Sequence, residues 1–176
     1  MIRLLIDNDV RQVYDIYMPY IENTVITFEK EKPSFEAFYQ RVLNIKKNYP
    51  YLVYEEDGKI LGYAYASRFR DRKAFDNTCE LSIYLIDKAK GKGIGKKLLS
   101  KMLEYLRLQN INSVVSCITV SNLASDNLHE SMGFTLCGYF HNSGIKFNKL
   151  LDVKFYELIL SNEVKEFIPF SNLKII

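Results

Sequence analysis

The sequence predicts a single-domain α/β protein built on a mixed sheet with helices on both faces. Two observations carry this. Apolar positions switch repeatedly between a period of two and a period of three to four along the chain. Paired runs joined by tight turns imply antiparallel pairing, while strand–helix–strand stretches imply some parallel pairing. The length of 176 residues suits one domain. The apolar fraction of 48% and charged fraction of 26% are those of an ordinary globular protein.

Each element follows from its local pattern. Ile2–Ile6 reads as a first or edge strand, and Asp7 as the N-cap of a helix. Val10, Val13, Tyr14, Tyr17, Met18 and Ile21 lie on one face of that helix. After a loop through Thr24–Glu29, Pro33-Ser34 opens a second helix, whose apolar face is Phe35, Phe38, Tyr39, Val42 and Ile45. Pro50 closes that region. Tyr51–Glu56 and Ile60–Arg68 flank Asp57-Gly58, the dipeptide of a two-residue hairpin turn. Arg68–Asn77 is a polar loop and Thr78–Ile86 a strand. A helix runs from about Gly93 to Leu108, and Ser113–Thr119 reads as a buried strand. Ser121 or Asn122 caps a short helix to about Met132, which Gly133 stops. Thr135–His141 and Leu151–Leu160 are the last two strands. The domain therefore spans 1–160, and 161–176 is a tail docked on the domain or on a second subunit.

Composition excludes several functions. A net charge of +3 is too weak to argue for a nucleic-acid partner. No apolar run approaches a membrane span, and the first residues are charged too soon for a secretory leader. Cys79, Cys117 and Cys137 are odd in number, and with His129 and His141 they lack metal-ligand spacing. Three reduced, mostly buried thiols, a cytoplasmic location and no metal are expected.

The segment most suggestive of chemistry is Lys90-Gly91-Lys92-Gly93-Ile94-Gly95-Lys96-Lys97, between a strand and a helix. Glycines let the backbone turn and approach a ligand closely. The first N–H groups of the helix have no internal partner, and the dipole favours an anion there. Its spacing fits neither the dinucleotide fingerprint nor the Walker A loop, which wants glycine at position 90 and Ser or Thr at 97. A lysine-rich helix start facing solvent is the alternative reading.

The turn, with the later Asn122-x-x-Ser125-x-x-x-His129-Glu130-x-x-Gly133-Phe134 segment, resembles the GNAT acetyltransferases. Lys90 stands where that family has Arg or Gln. Tyr49–Val53, Gly62–Ala66, Arg72–Asp76, Thr78–Tyr84 and Gly144–Lys146 resemble the phosphinothricin N-acetyltransferase branch, so the resemblance runs from about Asp9 to Leu160. One departure is Asn148-Lys149-Leu150, where the branch has Gly-Arg/Asn-Trp; this chain has no Trp.

The resemblance implies a GNAT fold with a mostly antiparallel sheet, acetyl-CoA as cosubstrate, and a small amine acceptor. The acetyl group would pass by direct attack in a ternary complex. The main chain of Ile83-Tyr84-Leu85 would pair with the pantetheine arm. Gly91, Lys92, Gly93, Ile94, Gly95 and Lys96 would hold the pyrophosphate. Asn122 and Ser125 would contact the same ligand, with Asn122 also a natural N-cap. Glu80, an acidic residue inside an apolar strand, stands where the branch has its general base; a structural glutamate paired with Arg70 or Arg72 is the competing reading. His129 takes the place of the tyrosine that protonates the leaving thiolate in many family members, or is a satisfied buried histidine. Arg70, Asp71, Arg72, Phe28 and Lys146 would meet the acceptor, with Phe75 nearby; solvated cations and core packing are the alternatives. The branch also implies a homodimer. A different amine acceptor (methionine sulfoximine, methionine sulfone or a protein N-terminus) and a non-catalytic acyl-CoA sensor remain open.

Overall fold

The computed structural model describes residues 1–174. The chain folds as β1 (Ile2–Leu4), α1 (Val10–Asn23), α2 (Phe35–Asn48), β2 (Tyr51–Glu56), β3 (Lys59–Arg68), β4 (Thr78–Leu85), α3 (Ile94–Leu108), β5 (Ser113–Thr119), α4 (Leu123–Ser131), β6 (Thr135–Lys146) and β7 (Lys149–Ile159). One sheet of order β1-β2-β3-β4-β5-β7-β6 forms the centre. All neighbours are antiparallel except β4 and β5, which α3 links as a parallel crossover.

Two cores lie on opposite sides of the sheet. On one, α1 and α2 bury Val10, Val13, Tyr17, Ile21, Phe38 and Val42 against Tyr51, Val53 and Tyr63. On the other, α3 buries Ile94, Leu98, Leu99, Met102 and Leu106 against Leu52, Ala64, Ala66 and Leu81. Period-two alternation along β2, β3 and β4 is what divides these residues between the faces.

Several expected boundaries move. β1 stops at Leu4 because Asp7–Asp9 forms a one-turn 3-10 helix. Asp9, not Asp7, satisfies the chain entry: its carboxylate accepts the Ile6 N–H at 2.9 Å and both Arg3 guanidinium nitrogens at 2.5 and 2.8 Å. Asn122, rather than Ser121, caps α4 by accepting the Ser125 N–H at 3.3 Å. β6 and β7 are longer than expected and meet at a tight turn, Phe147-Asn148, with φ of 49° and 56°. Neither residue is glycine, so the turn is hard to see in the sequence. The Asp57-Gly58 turn is present as expected, with φ of 49° and 75°.

Residues after β7 are held against the domain by side-chain amides. Asn77, Asn110 and Asn112 donate to the carbonyls of Lys165, Glu166 and Glu163. Gln109, wholly buried, donates to the carbonyls of Asn48 and Ile168. Phe167 packs on Tyr49 and Phe170 on Tyr105. The tail through 174 thus contacts its own domain, and the last two residues of the expected tail, 175 and 176, lie outside the described residues.

Candidate active site

The sheet is split. β4 pairs with β5 only through Thr78–Glu80 and Ser113–Val115, although β4 continues to Leu85 and β5 to Thr119. Beyond Glu80 the strands part, and one edge of β4 has no strand beside it. The Tyr20 hydroxyl donates to the Leu85 carbonyl at 2.5 Å and lies 3.4 Å from its N–H. Both main-chain groups of Leu85 therefore face the open edge. Strand alternation puts those of Ile83 and Leu81 on that edge too.

Two cavities follow the gap. One of about 140 Å³ is lined by Tyr20, Ile26, Ile83, Leu85, Lys90, Asn122, Ser125 and Leu128. One of about 50 Å³ continues inward between Leu81–Tyr84 and Ser116–Ile118, with His129 at its wall. A larger concavity, about 820 Å³, is an open groove elsewhere, between α2 and Phe167. Its arginines are already paired, Arg41 with Glu29 and Arg68 with Asp76, and neither Glu80 nor His129 lines it.

The gap joins two faces of the sheet. Tyr84 packs on Tyr17 and Tyr20 of α1, so Glu80 and Ser82, of the same parity, face α1 and α2. Cys117 of β5 faces the same way, since Val114 and Ile118 lie in the opposite core. His129 approaches from α4 on the other side, with Ser116. A carboxylate and an imidazole thus flank one opening from opposite faces.

Burial raises the Glu80 carboxyl above the ordinary glutamate range, and Arg70 pulls it partly back. Arg70 itself lies over the Phe69 ring, 4.9 Å from its centroid. The alternative in which Arg70 or Arg72 pairs directly with Glu80 is not formed among the described residues: Arg68 is the loop arginine in an ion pair, with Asp76 at 2.6 Å. His129 is 2% exposed. Its Nδ1 lies 2.8 Å from the Ser125 carbonyl, which fixes Nδ1 as the protonated nitrogen and leaves Nε2 as an acceptor. Burial lowers its pKa, against the opposing pull of the Ser125 carbonyl and Asp126, so the ring is neutral near pH 7.

The glycine turn has the conformation an anion cradle needs. Gly91 and Gly93 take φ of 73° and 74°, in the left-handed region. Gly93 is the N-cap of α3 and supplies no side-chain cap, so the N–H groups of Ile94, Gly95 and Lys96 remain available. The side chain of Ile94 is buried and Gly95 sits inside the helix, so both offer a ligand only main chain. Lys92 and Lys96 are exposed beside them. Lys90 binds Asp87 at 2.6 Å, and its ammonium lies 5.2 Å from the Tyr20 ring centroid. The open edge of β4 and the slot beside it reach Lys90, the residue that opens this turn.

The expected acceptor residues divide. Phe28 packs directly on Gly144: a Cβ there would lie 2.2 Å from the ring. Arg70, Asp71 and Arg72 share the loop after β3, whose Asp71 carbonyl accepts from Arg68. Lys146 is buried rather than open to the cleft. Its ammonium donates to the carbonyls of Thr27 at 2.8 Å and Tyr20 at 3.4 Å, fastening the loop that carries Phe28. Burial lowers its pKa, with Glu29 opposing. The thiols are also placed differently than expected, for Cys117 and Cys137 are exposed and only Cys79 is buried. Cys117 is open to the gap it lines, yet the protein atoms crowded around its sulfur, and then the Glu80 charge, push its thiol up to about 11. Such a group is a poor nucleophile near neutral pH.

The sequence reading missed Tyr20, Ser116 and Cys117. Tyr20 lies on the buried side of α1 and looks like any core aromatic in the sequence. Ser116 and Cys117 belong to the site only because β5 leaves β4 one residue earlier.

A split sheet with a ligand slot along its free edge and an uncapped helix at the slot's end defines an acyl-CoA-dependent transferase. The chain belongs to the GNAT acetyltransferases: the family described as an acetyltransferase (GNAT) domain matches residues 2–154. It is 32% identical over 149 residues to a phosphinothricin N-acetyltransferase of Streptomyces viridochromogenes, covering 85% of this chain and 81% of the relative. It is 39% identical over 112 residues to an L-methionine sulfoximine/L-methionine sulfone acetyltransferase of Salmonella typhimurium, covering 64% and 66%. A GNAT superfamily phosphinothricin acetyltransferase from Sinorhizobium meliloti, solved in complex with AcCoA, superposes with a TM-score of 0.90 at 34% identity, over 98% of this chain and 97% of that one. The protein is an acetyl-CoA-dependent N-acetyltransferase.

Proposed function

We propose that this enzyme acetylates the primary amine of a small amino-acid-like acceptor of the phosphinothricin type, by direct attack in a ternary complex. The observation that carries this reading is the gap itself, which begins where β4 and β5 part at Glu80, with the Glu80 charge reaching Cys117 on one side and His129 lining the cavity from the other. Acetyl-CoA supplies an acyl group activated as a thioester. The main-chain groups of Ile83 hold its pantetheine arm in register, joined by those of Leu85 once the Tyr20 hydroxyl releases them, with Tyr84 between them packed into the α1 core. The turn Gly91–Lys96 takes the diphosphate, and Asn122 and Ser125 line the slot.

Glu80, raised by burial, accepts the proton that an ammonium acceptor must lose before its nitrogen can attack. Arg70 and Arg72 favour an acidic acceptor, since guanidinium matches carboxylate and phosphinate geometry. Asp71 and Phe28 border the same approach, while Lys146 acts through the loop it fastens. Cys117, held as a thiol, leaves the direct path without a covalent enzyme intermediate.

A homodimer is the assembly this reading favours. β6 is a long edge strand with bulges, and Leu136, Tyr139, Phe140, Ile145, Phe147 and Leu150 are exposed on the β6–β7 hairpin. The three unpaired cysteines suit a reducing cytoplasm.

An acceptor panel with acetyl-CoA, read as free CoA release, tests the reading. Phosphinothricin-like acids should be the best acceptors. Preference for methionine sulfoximine or sulfone would move the assignment to the activity named for the Salmonella relative. Turnover of peptide N-termini alone would end the small-acceptor reading. CoA binding without turnover of any amine would make the protein a sensor.

A further inference from the structure

We propose that Ser116 and His129 together hold one water molecule on the α4 side of the gap, and that this water donates a hydrogen bond to the sulfur leaving during transfer. The inference rests on the acetyl-CoA seat proposed above.

Two buried side-chain atoms lack a partner at one spot. Ser116 and His129 are each 2% exposed, and among the described residues Ser116 Oγ and His129 Nε2 accept or donate no hydrogen bond. Buried polar atoms in this state call for an explanation. Both residues line the cavity of about 50 Å³ at the inner end of the gap. A water needs about 10–15 Å³ on this scale and two to four polar partners. The two side chains share a face of the sheet: Ser116 lies opposite Tyr156 in the β5–β7 ladder, and the Tyr156 ring is 6.3 Å from that of His129.

One arrangement of donors satisfies both side chains and leaves a hydrogen over. His129 Nδ1–H is committed to the Ser125 carbonyl, so Nε2 can only accept. Ser116 Oγ–H can donate to the water, and one water hydrogen can go to Nε2. The remaining hydrogen has no protein acceptor to satisfy and is free for the gap. When the carbon–sulfur bond breaks, the electron pair stays on sulfur. The water's hydrogen bond stabilises that charge, and solvent later supplies the proton. No protonated histidine is required.

Around His129, burial favours the neutral ring and Asp126 opposes it. On α4, Asp126 is paired with Lys154 of β7, and Glu130 accepts the Tyr156 hydroxyl of β7. From β5 and β4 the ring's cavity meets Cys117 and Tyr84. Glu130 is thus engaged by Tyr156 and one Asp126 oxygen by Lys154, while Asp126 Oδ1 is buried without a partner among the described residues.

The test titrates the thiol of bound CoA by its ultraviolet thiolate absorbance, with CoA affinity measured by calorimetry. In the wild type the bound thiol should titrate below its free value, with roughly tenfold more thiolate at a given pH. Ser116→Ala should restore the free value at an unchanged Kd, and lower kcat by roughly tenfold without moving KM for acetyl-CoA. Ser116→Thr should behave as the wild type. A wild-type thiol that titrates as in free solution overturns the proposal whether or not the variants fold. So does a Ser116→Ala titration identical to the wild type. Failure of the wild type to bind CoA at all would overturn the seat itself, and this inference with it.

Discussion

At the scale of single residues, the general-base role proposed for Glu80 comes with a cost in stability. Its folded pKa is raised, so between the ordinary glutamate value and that raised value the folded state binds more protons than the unfolded state. Stability contributed by this group therefore falls as pH rises through that window. Glu80→Gln should raise Tm at neutral pH while lowering kcat/KM by roughly 10²–10⁴-fold, with CoA affinity held. Thermal unfolding and steady-state kinetics on one preparation check both arms. Full activity near neutral pH would remove Glu80 from the mechanism. His129 has the opposite sign. Its folded pKa is lowered, so the unfolded state binds more protons between that value and about 6.5. Its contribution is intact above that range and is lost as pH falls through it.

At the scale of elements, two backbone features set the site. Gly93 must hold a left-handed φ at the first turn of α3, which a β-branched residue resists. Gly93→Val should cost about 1–2 kcal/mol of local strain and weaken CoA binding at least roughly tenfold; an unchanged dissociation constant would place the ligand elsewhere. On the side proposed for the acceptor, Gly144 lets the Phe28 ring approach β6 closely. Gly144→Ala should displace Phe28 and raise KM for the acceptor while KM for acetyl-CoA holds, which initial-rate kinetics with each substrate varied would show. At the chain entry, Arg3 binds both Asp9 and Glu55, and Asp9 is almost fully buried. Removing one partner leaves a buried charge, so Arg3→Ala should destabilise the fold by about 3 kcal/mol in denaturant unfolding.

At the scale of the whole molecule, the order of elements was legible because each carried its own period and punctuation. Asp57-Gly58 announced its hairpin, and the glycine-rich turn announced the start of α3. The Phe147-Asn148 turn did not, since it places two non-glycine residues at positive φ. Of the site, Glu80 stood out as a charge within an apolar strand and His129 through its surrounding motif. Tyr20 and Ser116 did not, because their roles depend on where two strands stop pairing, which no local pattern encodes. Lys146 looked like a cation for an acidic ligand, and only the packed loop reveals that it is spent on two carbonyls. The exposed β6–β7 hairpin makes assembly testable at this scale. Phe140→Lys with Leu150→Glu should leave the fold intact by circular dichroism and convert a dimer to a monomer in analytical ultracentrifugation; a monomeric wild type would dismiss the dimer.

Four amide side chains grip the peptide carbonyls of 163, 165, 166 and 168, not the residues that bear them. The identities at 163, 165 and 166 are consequently free to drift, whereas the contour of this stretch is not. Rewriting those three positions should be nearly silent, but shortening the end before Ile168 should leave Gln109 with the Asn48 carbonyl alone, one of its two amide hydrogens unmatched inside the protein, and erode heat resistance far from any reacting atom.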